Sequence, residues 1–460
     1  MPRAAGIRRW VVAATAVLGG ASLLAGCTHT VRGTGRAAPT SSASVPAASR
    51  PAPTSTPAAT SPSAPAVCPA RYLEPDPRRP AIRLAFDVAG DHTSVRGTEA
   101  VEFTPDADIT ELVFRLTANS LRTYQQGTRI QVTAARADHG GGAARYQAAG
   151  AAPGSQGGLL HIPFSSTVAA GTTVRAQLEF TLTLGAESFD RFGRTGNFAW
   201  FASAQPLLAW ERGYGWHTEP MIRFTAESAT SEAARTDLTV SAPTDDVVMT
   251  SGRATPGPTS LGRRTWHSSL DAARDVSVAV GAFKTTDVAL GQIRLQVGAA
   301  GAFELAKVVA DARFALDGLS RRFGPFPFPS LSITLLPSDG GGIEYPSSIF
   351  LLGSRRLVTV HEIAHQWFYA MVGDSQASHA WLDEAFATYA EQLTDSTPIV
   401  TSALALPGPV DKGTADYGDD TRGYYATTYD KGAAALRTAR EKAGPDRFDA
   451  AIRCYVNANA

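Results

Sequence analysis

The chain has 460 residues, against about 150 for an ordinary domain, so two or three units are expected and core size is not limiting. Forty-two Lys and Arg balance forty-two Asp and Glu, which leaves no broad field to attract nucleic acid and argues against such a partner.

At the N-terminus Arg3, Arg8 and Arg9 precede an apolar run from Trp10 to Leu24, which leads into Ala25-Gly26-Cys27. That run is short for a bilayer span, which takes about 20 apolar residues, and it ends in small residues as a cleavage site does. The stretch resembles a bacterial lipobox. The resemblance implies a lipoprotein signal peptide at 1–27, with Cys27 acylated as the first mature residue and the protein exported to the outer face of the cell membrane. A plain signal peptide with an incidental cysteine is the alternative. Residues 28–67 are dominated by Ala, Ser, Thr and Pro without apolar periodicity, and are read as a disordered linker that acts as a tether. Disulfides persist outside the cell, so Cys68 and Cys454 are expected to pair; spacing alone leaves two separate buried thiols open.

From about Arg78 to Phe283 short β-rich runs alternate with turn signals, among them Ile82 to Val88, Glu99 to Phe103, Arg175 to Leu184 and Val276 to Val280. Segments such as Val174 to Phe180 alternate apolar and polar side chains, as half-buried antiparallel strands do. An all-β domain is therefore expected over 68–288. Beyond it, Phe303, Leu305, Ala306, Val309, Ala310, Phe314 and Leu316 recur at helical spacing, and Gly324-Pro325 stops that helix. A strand at Leu331 to Leu336, a Gly-rich segment, a strand at Ile349 to Leu352 and a helix from Arg356 to Val372 follow. A second domain is expected over 289–460.

That last helix carries His361-Glu362-Ile363-Ala364-His365, and a four-residue step puts both imidazoles on one face. Glu362 points about 100° away, beside a shared ion rather than on it, where a base belongs. A further helix brings Glu384, eighteen residues after His365, as a third ligand. Three protein ligands leave the fourth position of a tetrahedral zinc ion to water, the mark of a catalytic rather than a structural site. One zinc ion per chain is expected.

The pattern HExxH, eighteen residues, then Glu within Trp381-Leu382-Asp383-Glu384-Ala385-Phe386 resembles the aminopeptidase N family of gluzincin metallopeptidases. Gly341-Gly342-Ile343-Glu344 resembles that family's cleft-lining edge strand. The resemblance implies that Glu344 holds the substrate's free α-amino group, with backbone groups near Gly341 and Gly342 against the peptide. Tyr429-Asp430-Lys431-Gly432 resembles the segment whose tyrosine stabilises the tetrahedral intermediate, and Tyr424 matches a second tyrosine of such sites. The implied fold is α+β and multidomain: a saddle-like all-β N-terminal domain, then a thermolysin-like mixed α/β catalytic domain.

Three departures qualify the resemblance. Tyr345-Pro346 replaces an Asn-containing end of the cleft strand. Asp383 and Ala385 replace Asn and Gly beside the third ligand, with tuning of the metal's surroundings as the expected effect. The chain stops 31 residues after Tyr429, short of the family's helical C-terminal domain, so an open groove is expected. The implied function is zinc-dependent removal of N-terminal residues from peptides. The alternatives are a zinc endopeptidase and a non-catalytic, ligand-binding surface lipoprotein.

Overall fold

The computed structural model describes residues 68–186, 191–224, 231–337, 340–398 and 400–460. The signal peptide expected over 1–27, Cys27 and the linker expected over 28–67 lie outside the described residues.

Alternation governs the first half of the fold. Ala81–Val88 buries Ile82, Leu84, Phe86 and Val88 and turns Arg83 and Ala85 outward. It lies mid-sheet in the strand order Thr255–Ser260, Arg263–Ala273, Ala234–Pro243, Ala81–Val88, Ser94–Phe103, Val174–Thr183, Arg129–Ala137. All neighbours are antiparallel except Ala81–Val88 and Ala234–Pro243, which run parallel with Leu84 opposite Leu238. The core joins Phe86 and Phe180 of this sheet to Phe114 and Phe201 of two four-stranded sheets. Phe86 meets Phe180 and Phe201 edge-on, with centroids 6.1 and 5.2 Å apart. Truncating such a ring costs about 3–5 kcal/mol.

The second half is mixed, in agreement with the α+β class expected from the sequence. Its five-stranded sheet has the order Lys284–Leu290, Ile293–Ala299, Ser330–Leu335, Ser348–Leu351, Gly342–Tyr345. The middle three strands are parallel and the outer two antiparallel to their neighbours. This sheet takes up the chain at Lys284, ahead of residue 289. Ser330–Leu335 is buried at every position, as a strand covered on both faces must be.

Helices α1 (Leu305–Phe323), α2 (Arg356–Ala364), α3 (Trp381–Asp395), α4 (Gly432–Ala443) and α5 (Pro445–Ala458) complete this half. The first buries Val308, Ala312, Ala315, Leu316 and Leu319 as one stripe and ends at Gly324, whose φ of +108° few other residues tolerate. Helix α2 corrects the expectation that it would run to Val372: it stops at Ala364. Tyr369 then takes a φ of +109°, and the amides of Ala370 and Val372 bond to the carbonyls of His365 and Trp367. The reversal carries the Tyr369 hydroxyl to Asp275 Oδ1 at 2.7 Å. Asp275 is buried, and a buried carboxylate without donors is costly.

Cys68 and Cys454 form a disulfide with Cα atoms 5.3 Å apart. Beside it, Asn457 Nδ2 donates to the Pro69 carbonyl at 2.8 Å. No helix among the described residues is long and apolar enough to cross a membrane.

Candidate metal centre

Helices α2 and α3 face each other across the donor set. His361 and His365 lie one turn apart on α2, and their Nε2 atoms approach to 3.1 Å. Glu384 Oε2, from the first turn of α3, lies 3.3 Å from His361 Nε2 and 3.4 Å from His365 Nε2. A tetrahedron with zinc bonds of about 2.0–2.1 Å has ligand atoms about 3.3 Å apart, so the triangle has zinc's dimensions.

Each ring is fixed from behind. His361 Nδ1 donates to Glu391 Oε2 at 3.1 Å, and His365 Nδ1 donates to Asp383 Oδ1. Asp383 is held in turn by Gln376, whose Nε2 donates to Oδ2 at 2.8 Å. With Nδ1 carrying the proton, both Nε2 lone pairs point at one place, which suits a cation.

The electrostatics agree. Burial alone would lower the pKa of His361, but hydrogen bonds to Glu384 and Glu391 raise it to about 10. Burial also opposes the rise at His365, and Asp383, Glu344 and Glu384 outweigh it. The carboxylates thus call for positive charge between the rings. Burial opposes ionisation of Glu384, yet His365 and His361 hold it well below the usual carboxylate range.

Three further groups surround this centre. Glu362 is buried, with Oε2 free of hydrogen-bond partners, and burial pushes its pKa up to about 7 against the pull of His361 and His365. It lies beside Gly342 on the edge strand, where a Cβ would stand 2.7 Å from Glu362 Cδ and Oε1. Glu344, two residues along that strand, is 3% exposed and has Oε1 without a partner. Burial raises its pKa well above the ordinary value, helped by the neighbouring Asp383, Glu384 and Glu362. Tyr429 donates its hydroxyl proton to Glu384 Oε1 and stacks on His361 with centroids 5.9 Å apart.

A cavity of about 250 Å³ opens onto these groups, lined by Gly341, Gly342, Glu344, Glu362 and Tyr429 together with the donor set. Tyr424, the second expected tyrosine, packs edge-on against Tyr429 with centroids 5.8 Å apart. It does not line the cavity; its ring is fully buried against Phe224 and Tyr417, and Tyr425 takes the place at the wall. A π-helical turn over Tyr425–Lys431 follows it. A larger cavity of about 410 Å³, lined by Tyr72, Glu74, Arg274 and Asn459 among others, contains no histidine.

The Peptidase family M1 domain model matches residues 352–460, which carry the donor set, Glu362 and Tyr429. The chain is similar to rice Aminopeptidase M1-C, 27% identical over 169 residues, or 29% of this chain and 19% of that protein. Aminopeptidase M1 of Arabidopsis thaliana is 27% identical over 225 residues, 40% of this chain and 25% of that protein. The chain thus matches about a fifth to a quarter of the length of these relatives. Among solved structures, the M1 zinc metallopeptidase from Deinococcus radiodurans superposes with a TM-score of 0.59 at 20% identity, covering 82% of this chain and 84% of that one. A mutant of that protein, bound to Tyr-Ser-Ala, superposes at 0.57. These structures share the fold, β-rich portion included.

Sequence reading missed Glu391. Its signal was present: it follows Glu384 by seven residues on one helix, which returns it to the same face within about 20°. It also gave Asp383 too small a part, since this carboxylate directly orients His365.

Proposed function

We propose that the chain is a zinc-dependent aminopeptidase. One observation carries the reading: a three-ligand donor set, a buried unpartnered carboxylate beside it and a second one on the edge strand share a single cavity. Zinc held by His361, His365 and Glu384 would supply a Lewis acid and a water that ionises near pH 7. Glu362 accepts the water's proton and passes it to the departing amine, its buried Oε2 having no other hydrogen-bond partner. Glu344 receives the substrate's ammonium group, and the unpartnered Oε1 accepts its hydrogen bond. That contact sets the cut one residue from the end. Tyr429, its hydroxyl directed at the centre, donates to the oxygen that gains negative charge.

Hydrolysis of one peptide with a free and with an acetylated N-terminus tests this. Cleavage of the free peptide alone is expected; equal cleavage would remove the amine role from Glu344 and leave an endopeptidase.

The proposal extends to location. Its support is the apolar run ending in Leu24-Ala25-Gly26-Cys27 followed by the Ala-, Ser-, Thr- and Pro-rich stretch over 28–67, a pattern that suits a catalytic body outside the cell on a lipid anchor. A Cys27→Ala protein is expected to leave the membrane fraction, and full retention there would exclude anchoring at this residue.

A further inference from the structure

The cavity has a direction. At the C-terminal end of α2, Gln366 donates to the Tyr345 carbonyl at 3.0 Å and accepts from the Ser347 amide at 2.8 Å. One turn earlier, Glu362 sits beside Gly342. Leu352, whose amide bonds the Gly341 carbonyl at 2.9 Å, then leads the chain to Arg355, the residue that opens α2. Edge strand and helix therefore run side by side, with Glu344 towards one end, Glu362 and the donor set in the middle, and Arg355 at the other end.

Arg355 precedes Glu362 by seven residues, which places it on the same helix face about 10 Å away along the axis. It lines the cavity together with the carboxyl groups of Glu344, Glu362, Glu384 and Glu391. Among the described residues Arg355 is the only Lys or Arg lining this cavity, and its guanidinium has no hydrogen bond or ion pair. The adjacent Arg356 differs, pairing with Asp395 at 2.6 Å. The same end of α2 carries the positive end of the helix dipole and has no capping side chain.

We propose that Arg355 is a specificity residue that binds a carboxylate on the leaving-group side of the cut. This rests on the aminopeptidase reading, which puts the substrate's amine at Glu344 and its scissile carbonyl at the donor set. The residues beyond the cut then extend towards Arg355. At about 3.3–3.6 Å per extended residue, the carboxylate lies two or three residues past the scissile bond. The favoured substrates are short peptides whose own C-terminus reaches Arg355, or peptides with an acidic side chain at that place.

Calorimetric binding to the zinc-loaded Glu362→Gln protein tests this without turnover, using Leu-Gly-Gly as free acid, Leu-Gly-Gly amide and Leu-Gly-Asp amide. The free acid is expected to bind about three- to fivefold more tightly than its amide, the upper range for an exposed ion pair, with the preference shrinking in high salt. Adding Arg355→Gln should bring the ratio to about one, whereas Arg356→Gln should leave it in place. Tight binding of Leu-Gly-Asp amide assigns the subsite to any carboxylate; its loss assigns the subsite to the peptide C-terminus. Equal affinity for acid and amide, or a ratio indifferent to Arg355→Gln, overturns the proposal. A ratio that follows Arg355 in a protein whose native form cleaves no peptide would instead sink the aminopeptidase reading and leave the carboxylate subsite standing.

Discussion

Replacing Gly342 by alanine adds one methyl group at the place where the edge strand meets Glu362, the proposed general base. The added carbon would stand 2.7 Å from Glu362 Cδ and Oε1, against an ordinary separation of about 3.5–4.0 Å. Glu362 must therefore move by about 1 Å. A displacement of that size in a catalytic group costs about 10²-fold in rate, equivalent to about 2.7 kcal/mol of transition-state stabilisation. The backbone accepts alanine, since φ at Gly342 is outside the left-handed region, and a half-buried strand glycine contributes nothing to strand stability that alanine lacks. Glu362 is not a ligand, so the metal should remain. The expected outcome is kcat/KM about a hundredfold lower on an aminoacyl p-nitroanilide, with one zinc per chain by atomic emission and a native melting transition. A Gly342→Ala protein with wild-type kcat/KM would refute the claim that this close approach positions the base.

Glu362→Gln should retain zinc and lose about 10²–10⁴ in kcat, the usual worth of a general base, and loss of metal instead would show that Glu362 acts as a ligand. Asp383→Asn keeps the shape but weakens the acceptor behind His365, so zinc affinity measured by chelator competition should fall about 10–100-fold. Stability should also carry the signature of His217. Burial would lower its pKa, but Glu211 and Glu219 outweigh burial and raise it above 6.5. The folded form thus holds its proton more tightly than the unfolded chain. That stabilisation is complete below about pH 6.5 and is lost as pH rises through the elevated folded value. Melting temperature should fall across that window, and His217→Gln should remove this part of the slope; an unchanged slope would exclude the ion cluster as its source.

Periodicity made much of this molecule readable from its residues. Strict alternation marked Ala81–Val88 and Val174–Thr183 because one face of each strand is buried, and the four-residue step of His361 and His365 requires a shared helix face. What escaped depended on contacts distant in sequence. The extent of α2 was overestimated because apolar residues continue through Trp367 and Phe368, while the chain reverses to satisfy Asp275, almost a hundred residues earlier. Tyr424 was taken for a substrate contact because it matches a second tyrosine of such sites, whereas its ring is buried against Phe224 and Tyr417, a packing that no local pattern announces. The parallel pairing of Ala81–Val88 with Ala234–Pro243 left no local trace at all.

The bond between Cys68 and Cys454 encloses almost the entire described body, with a sequence separation of 386. Closing a loop of that length removes about 6 kcal/mol of denatured-state entropy in the chain-entropy account. It also makes the polypeptide tolerant of damage. A protease that severs any surface loop inside the ring produces two pieces still linked by sulfur, which cannot diffuse apart and can re-form their sheets. Under oxidising conditions a nicked molecule therefore persists as one covalent particle, and only reduction would release its halves.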